Sequence, residues 1–160
     1  MHTSLYPVEL MLLLNERLFI NALDGVTDEQ ADERMSPHSN PLIWIATHTL
    51  WARYNMLMFL GSPVNNPYQE LFQNFRPYNP ADDYPDMSAV KTDWNNVSAL
   101  LKSALKNVTE AQLAADAPLK NPTGDFTNLG TLAFLAQHES YDIGQMAFLK
   151  KLFTKEAMKY

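Results

Sequence analysis

In four stretches of this chain apolar residues recur at spacings of three and four, and no long run alternates apolar with polar residues. Such a pattern puts one apolar stripe along a helix and gives a half-buried strand nothing to work with. The first stretch carries Val8, Leu12, Asn15, Phe19 and Ala22. Thr3 or Ser4 is placed to cap it, and Gly25 falls just past its end. The second runs from about Pro41 to Leu60, with Pro41 at a first helical position and Gly61 and Pro63 as a stop signal. Its stripe holds Trp44 or Ile45, His48, Trp51 or Ala52, Asn55 and Phe59. The third has the cleanest period, through Val90, Trp94, Val97, Leu101, Ala104 and Val108, with Asp86 or Ser88 near its start. The fourth runs from about Thr127 to Phe153, with Leu132, Leu135, Ala136, Ile143, Met146 and Leu152 apolar. A short turn of helix is expected at residues 109–115, capped by Thr109.

Four amphipathic helices predict an all-α fold, a four-helix bundle formed by residues 1–160 as one domain. The connection at residues 61–86 is far longer than the others and holds five of the ten prolines. It also holds Tyr68, Phe72, Phe75, Tyr78 and Tyr84, aromatics that favour packing onto the bundle over solvation. A link of that length can cross the whole bundle, so the second and third helices are expected to run parallel, in up-down-down-up order. Long crossovers inside compact domains are commonly functional.

Composition narrows the chemistry. There is no cysteine, which excludes thiolate zinc sites, iron–sulfur clusters and a cysteine nucleophile. A net charge of −6 argues against nucleic acid or an anionic membrane as partner. Asn15, Glu16, Arg17, His48 and Arg53 interrupt the longest apolar stretches, so no membrane span is expected. The start of the chain lacks a basic region followed by an apolar run, and the cytoplasm is the expected location. The charged and apolar shares, 19% and 46%, are those of a globular protein.

Any transition metal must therefore be held by histidine and carboxylate, and the chain has four histidines. His2 is near the terminus, and His38 sits in a loop among Ser36, Pro37, Ser39 and Asn40, so both are expected to be solvent-exposed. The other two lie on apolar helix faces. His138, Asp142 and Gln145 are spaced by four and three, so they share a face framed by Leu135 and Leu149. His48 lies among Trp44, Ile45, Trp51 and Ala52. Burying histidine beside carboxylate is costly without partners. If the two faces meet, His48, His138 and Asp142 converge. Two imidazoles and one carboxylate suit zinc, nickel or ferrous iron and leave a position open for water or substrate. The same spacing also fits a plain hydrogen-bonded His–Asp pair. Gln145, Glu139 and Trp44 are the candidates for the surrounding shell or pocket, although Glu139 equally fits the solvated side. Trp44, Trp51 and Trp94 read most simply as core packing.

The two histidine segments resemble the DinB-like superfamily of metalloenzymes. In residues 40–61, Trp44 precedes His48 by four and the helix closes on Gly61. In the fourth stretch, His138-Glu139-Ser-Tyr-Asp142-Ile-Gly144-Gln145 is similar to that family's His-Glu-x-x-His-x-Gly-Gln signature. The resemblance covers nearly the whole chain and implies an up-down-down-up bundle with a divalent metal near its mouth, often as a homodimer. Members of known role include thiol-dependent S-transferases and a mycothiol-dependent isomerase, which implies a small-molecule substrate and an external low-molecular-weight thiol. The sequence departs from the pattern at Asp142, where the family usually has histidine. Either Asp142 ligates, giving a harder two-histidine, one-carboxylate site, or its shorter side chain leaves a His138–Asp142 pair. Three functions follow: metal-dependent thiol transfer, metal-assisted hydrolysis with Glu139 or a loop group as base, and non-catalytic binding of a small ligand or protein.

Overall fold

The computed structural model describes residues 4–160, and His2 and Thr3 lie outside them. Among the described residues the chain forms seven α-helices and no strand: α1 (Tyr6–Leu23), α2 (Asp28–Asp32), α3 (Leu42–Phe59), α4 (Gln69–Phe72), α5 (Met87–Asn107), α6 (Glu110–Ala114) and α7 (Asn128–Thr154). A single 3-10 turn, Gln73–Phe75, follows α4.

The four expected helices are α1, α3, α5 and α7. Asp86 caps α5 by accepting the Ala89 amide, Thr109 caps α6 and Thr127 caps α7. Each side-chain oxygen satisfies one of the amides left unpaired at a helix start. Ser4 does not cap α1, whose N-cap is Leu5 without a side-chain bond. Pro7 instead supplies a pre-set φ in the first turn. Pro41 stands one position earlier than expected, as the N-cap of α3. Gly61, with φ +71°, takes the left-handed conformation that ends α3.

The long helices differ in how they are buried. Only one stripe of α5 is covered, through Val90, Trp94, Val97 and Leu101. In α3, by contrast, Leu42, Ile43, Ile45, Ala46 and Thr47 are buried in near succession, so neighbours cover most of its circumference. α3 packs against α5 and α7, and α1 packs against the same two helices. Trp94 anchors the middle of this core. It stacks on Phe19 with ring centroids 3.7 Å apart, and its Nε1 donates to the Glu16 carbonyl at 3.0 Å.

Polar contacts record which levels of the helices meet. Asn15 Nδ2 in α1 donates to the Ala136 carbonyl (3.2 Å) and Ser140 Oγ (3.0 Å) of α7. Further along both helices, Lys150 Nζ donates to the Asn21 carbonyl at 2.6 Å. Between α3 and α7 the order reverses: Thr49 meets Asp142, and Arg53 meets Glu139. The 61–86 crossover packs down through Tyr68 and Phe72, which are buried. Tyr68 donates its hydroxyl to Asp93 of α5 at 2.5 Å. Phe75 is the exception, fully exposed at 101%.

Candidate metal centre and pocket

His48 and Asp142 are brought together from α3 and α7. His48 Nδ1 lies 3.1 Å from Asp142 Oδ2, and His138 Nδ1 lies 3.7 Å from the same oxygen. One ligand atom from each of the three residues falls within 4.8 Å of the other two. Asp142 is 4% exposed and the two imidazoles are partly buried. His38 is exposed in its loop, away from this cluster.

The outer contacts follow the helix spacing. Gln145 Nε2 donates to Asp142 Oδ1 at 3.3 Å, one turn along α7. Thr49, beside His48, has its hydroxyl 2.7 Å from the Ile45 carbonyl and 3.3 Å from Asp142 Oδ2, two acceptors that share its one proton. Trp44 stacks on His48 with centroids 4.9 Å apart and planes 7° from parallel. Phe72 presses edge-on against the same imidazole, 5.3 Å away. Trp44 is therefore a wall of the site as well as a core residue.

Glu139 takes a different place from either one expected. It is fully buried and faces Arg53, not solvent and not the histidine cluster. Arg53 Nε donates to Glu139 Oε2 at 2.9 Å and its Nη2 to Oε1 at 3.0 Å, a two-pronged pair. The guanidinium also reaches the Leu12 carbonyl at 2.9 Å and Ser98 Oγ, and lies 3.9 Å from the Trp94 ring centre. In the sequence Arg53 only interrupts an apolar stretch. The available signal was Arg53 as the one Lys, Arg, Asp or Glu of α3 and an acidic residue next to His138 on α7. Phe72 was signalled only as one of five aromatics in the crossover, and Thr49 had no signal, because it is ordinary in its local pattern.

His138 illustrates the electrostatics. Burial depresses its pKa below 6.5; Asp142 opposes that shift and His48 adds to it. A depressed pKa keeps the ring neutral near pH 7, the form that carries a free lone pair for a metal. Its Nδ1 is buried and has no hydrogen-bond partner. Bonds of 2.0–2.1 Å to tetrahedral zinc place neighbouring ligand atoms about 3.4 Å apart. Two of the three separations, the 3.1 and 3.7 Å around Asp142 Oδ2, bracket that edge, the shorter being also the length of a His–Asp hydrogen bond. The donor set and its spacing thus fit a divalent transition metal, with His48, His138 and Asp142 able to hold it.

A cavity of about 570 Å³ opens on the two histidines. Trp44, Trp51, Phe72 and Phe134 give it aromatic walls, and Asn40, Asn55, Asn121 and Thr131 add polar ones. That volume lies in the range of small-molecule sites.

Fold and site together define a class: an all-helical protein with a two-histidine, one-carboxylate cluster at the wall of an aromatic pocket. The sequence profile of the DinB superfamily matches residues 11–146, which include all three cluster residues, and the chain belongs to that superfamily. A crystal structure described as a conserved protein from Enterococcus faecalis is similar to it, with a TM-score of 0.71 and 19% identity. The similarity covers 98% of this chain and 99% of that one, and at this identity it speaks for the fold. No curated protein sequence matches.

Proposed function

We propose that the protein is a divalent-metal-dependent enzyme that transfers a small external thiol to an organic substrate. The observation that carries this reading is the convergence of His48, His138 and Asp142 on the wall of a pocket lined with aromatic rings. When bound, a divalent cation would supply the positive charge that lowers a thiol's pKa towards neutrality. The chain's own residues do the rest. His48 is held in place by the Trp44 ring stacked on its face, with Asp142 beside its Nδ1. Gln145 and Thr49 orient the carboxylate. Trp51 and Phe72 give the space beside it apolar walls. With no cysteine in the chain, the thiol must come from a cosubstrate.

The pairings along α1, α3 and α7 support an up-down-down-up bundle for this single domain. α1 and α7 meet in the same order, α3 and α7 in opposite order. No described helix is long and apolar enough to cross a membrane. Exposed apolar side chains stand on two packed helices, Leu10, Leu13 and Leu14 on α1 and Tyr141 and Phe148 on α7. They support a homodimer, which light scattering at micromolar concentration would register as twice the 18.2 kDa chain mass.

The test is metal analysis of untagged protein purified without chelator, followed by melting with added zinc or nickel. Bound metal, or a melting point raised by the ion and not raised in His48→Ala, supports the site. Neither result in the wild type sinks it. Small-thiol consumption measured against ester cleavage separates transfer from hydrolysis. Hydrolysis is the weaker reading, because Glu139 is sequestered by Arg53 and cannot act as its base.

One observation favours a second reading, a non-catalytic binding bundle. Asp142 already accepts from His48, Thr49 and Gln145, so it is satisfied without a cation. Asp142→His decides between the two: tight zinc binding by the variant alone identifies the natural site as degenerate.

A further inference from the structure

The charge around the pocket points to what fills it. Apart from the histidines, the charged side chains that line it are Arg76 and Lys120, both cationic, in a chain of net charge −6. Arg76 is held in position by Asp82 and by the Glu70 carbonyl at 3.3 Å. Lys120 Nζ lies 5.9 Å from the Phe126 ring centre and has no carboxylate partner among the described residues. Asp82 balances Arg76 from outside the lining, so Lys120 is the lining cation that no described carboxylate pairs.

Flat rings make up one wall of the pocket. Trp44 and Trp51 flank the His48 ring, and Phe72 stands against all three. Phe75 lines the same cavity, is 101% exposed and has φ 57°, next to Asn74 at φ 58°. Bulky side chains rarely adopt that conformation. Here it holds an aromatic ring in water beside the pocket, where a bound ring would cover it.

We propose that the pocket takes an aromatic carboxylate, its ring system among Trp44, Trp51, Phe72 and Phe75 and its anionic group at Lys120. This substrate class rests on the proposed function only in sharing the His48 and His138 wall, and binding of the anion needs no metal.

The experiment titrates the chelator-treated full chain with 2-naphthoate, neutral 2-naphthamide and cationic 2-naphthylmethylammonium. Trp44 and Trp51 fluorescence, with calorimetry alongside, reports binding. Naphthoate is expected to bind several-fold tighter than either analogue. Lys120 is exposed, so Lys120→Glu keeps the fold; it should weaken naphthoate about three- to tenfold and leave the amide unchanged. Phe75→Ala should weaken all three probes. Equal affinity for the three probes, no binding of any, or an unchanged naphthoate affinity in Lys120→Glu overturns the inference. The metal reading fails separately. Naphthoate preference without zinc binding overturns the metal site alone, and zinc binding without preference among the probes overturns this inference alone.

Discussion

Glu139→Ala should be among the most damaging single substitutions in the chain, although it touches neither the pocket nor the metal cluster. Arg53 and Glu139 have side-chain exposures of 1% and 0%. After truncation the guanidinium keeps the Leu12 carbonyl, Ser98 Oγ and the Trp94 face, but no anion remains. Breaking a buried pair by removing one partner costs about 3–5 kcal/mol, because a buried charge is left uncompensated. For a chain of this size each kcal/mol lowers the melting point by about 2–4 °C, which gives a drop of about 6–20 °C. The assay is urea unfolding followed by circular dichroism at pH 7 with metal chelated. The control is the double variant Arg53→Met with Glu139→Leu. It removes both charges, and Ser98 Oγ still donates to the Trp94 carbonyl at 2.5 Å. Apolar replacements of whole buried pairs are often neutral or stabilising, so the double variant should recover most of the loss. A drop under about 1 kcal/mol in Glu139→Ala, or a double variant as unstable as the single, refutes the reasoning.

Gly130→Ala should destabilise by about 1–3 kcal/mol, since overpacking has nowhere to go. A β-carbon there would lie 2.6 Å from the Asp125 carbonyl oxygen, at the start of the helix that carries His138; chemical unfolding measures the cost. Tyr68→Phe removes a hydroxyl donor to Asp93, and a hydrogen bond to a charged group is worth about 1.5–3 kcal/mol. Burial and Asp93 both push the Tyr68 phenol up, so ultraviolet titration should show no ionisation of that ring before unfolding. For His138 the sign follows from its depressed pKa. The unfolded state takes up the proton first, so stability present above 6.5 is lost as the pH falls below it. Chelated wild type should therefore lose more stability between pH 7.5 and 5.5 than His138→Gln, and equal losses would contradict the assignment.

How much of this was legible beforehand follows from the range of each signal. Helix identity is local, and the periodic stripes with Asp86, Thr109 and Thr127 placed α5, α6 and α7 closely. α2 was missed, although Thr27 and Gln30 spell a capping box and form one. The aromatic crossover was expected to pack down, and Tyr68 and Phe72 do. Phe75 does not, because the left-handed turn at Asn74 and Phe75 is invisible to composition. The faces of His48 and of His138 with Asp142 could be read separately. Their meeting could not, because it depends on the relative register of two helices far apart in sequence.

That register has a physical basis in the pair next to the cluster. Along α3, Thr49 and Arg53 are one turn apart; along α7, Asp142 and Glu139 are one turn apart in the opposite sense. A slip by one turn would leave Glu139 without Arg53 and Asp142 without His48 at the same time. Apolar contacts between α3 and α7 are non-directional. The ion pair penalises such a slip strongly, and fixing register is the best-attested use of buried polar groups. Arg53→Met with Glu139→Leu should therefore separate stability from site geometry. Unfolding should stay near the wild-type value while zinc affinity falls and the His48 and His138 ring signals broaden in NMR spectra. Wild-type ring signals in a stable double variant would show that apolar packing alone holds the histidines in register.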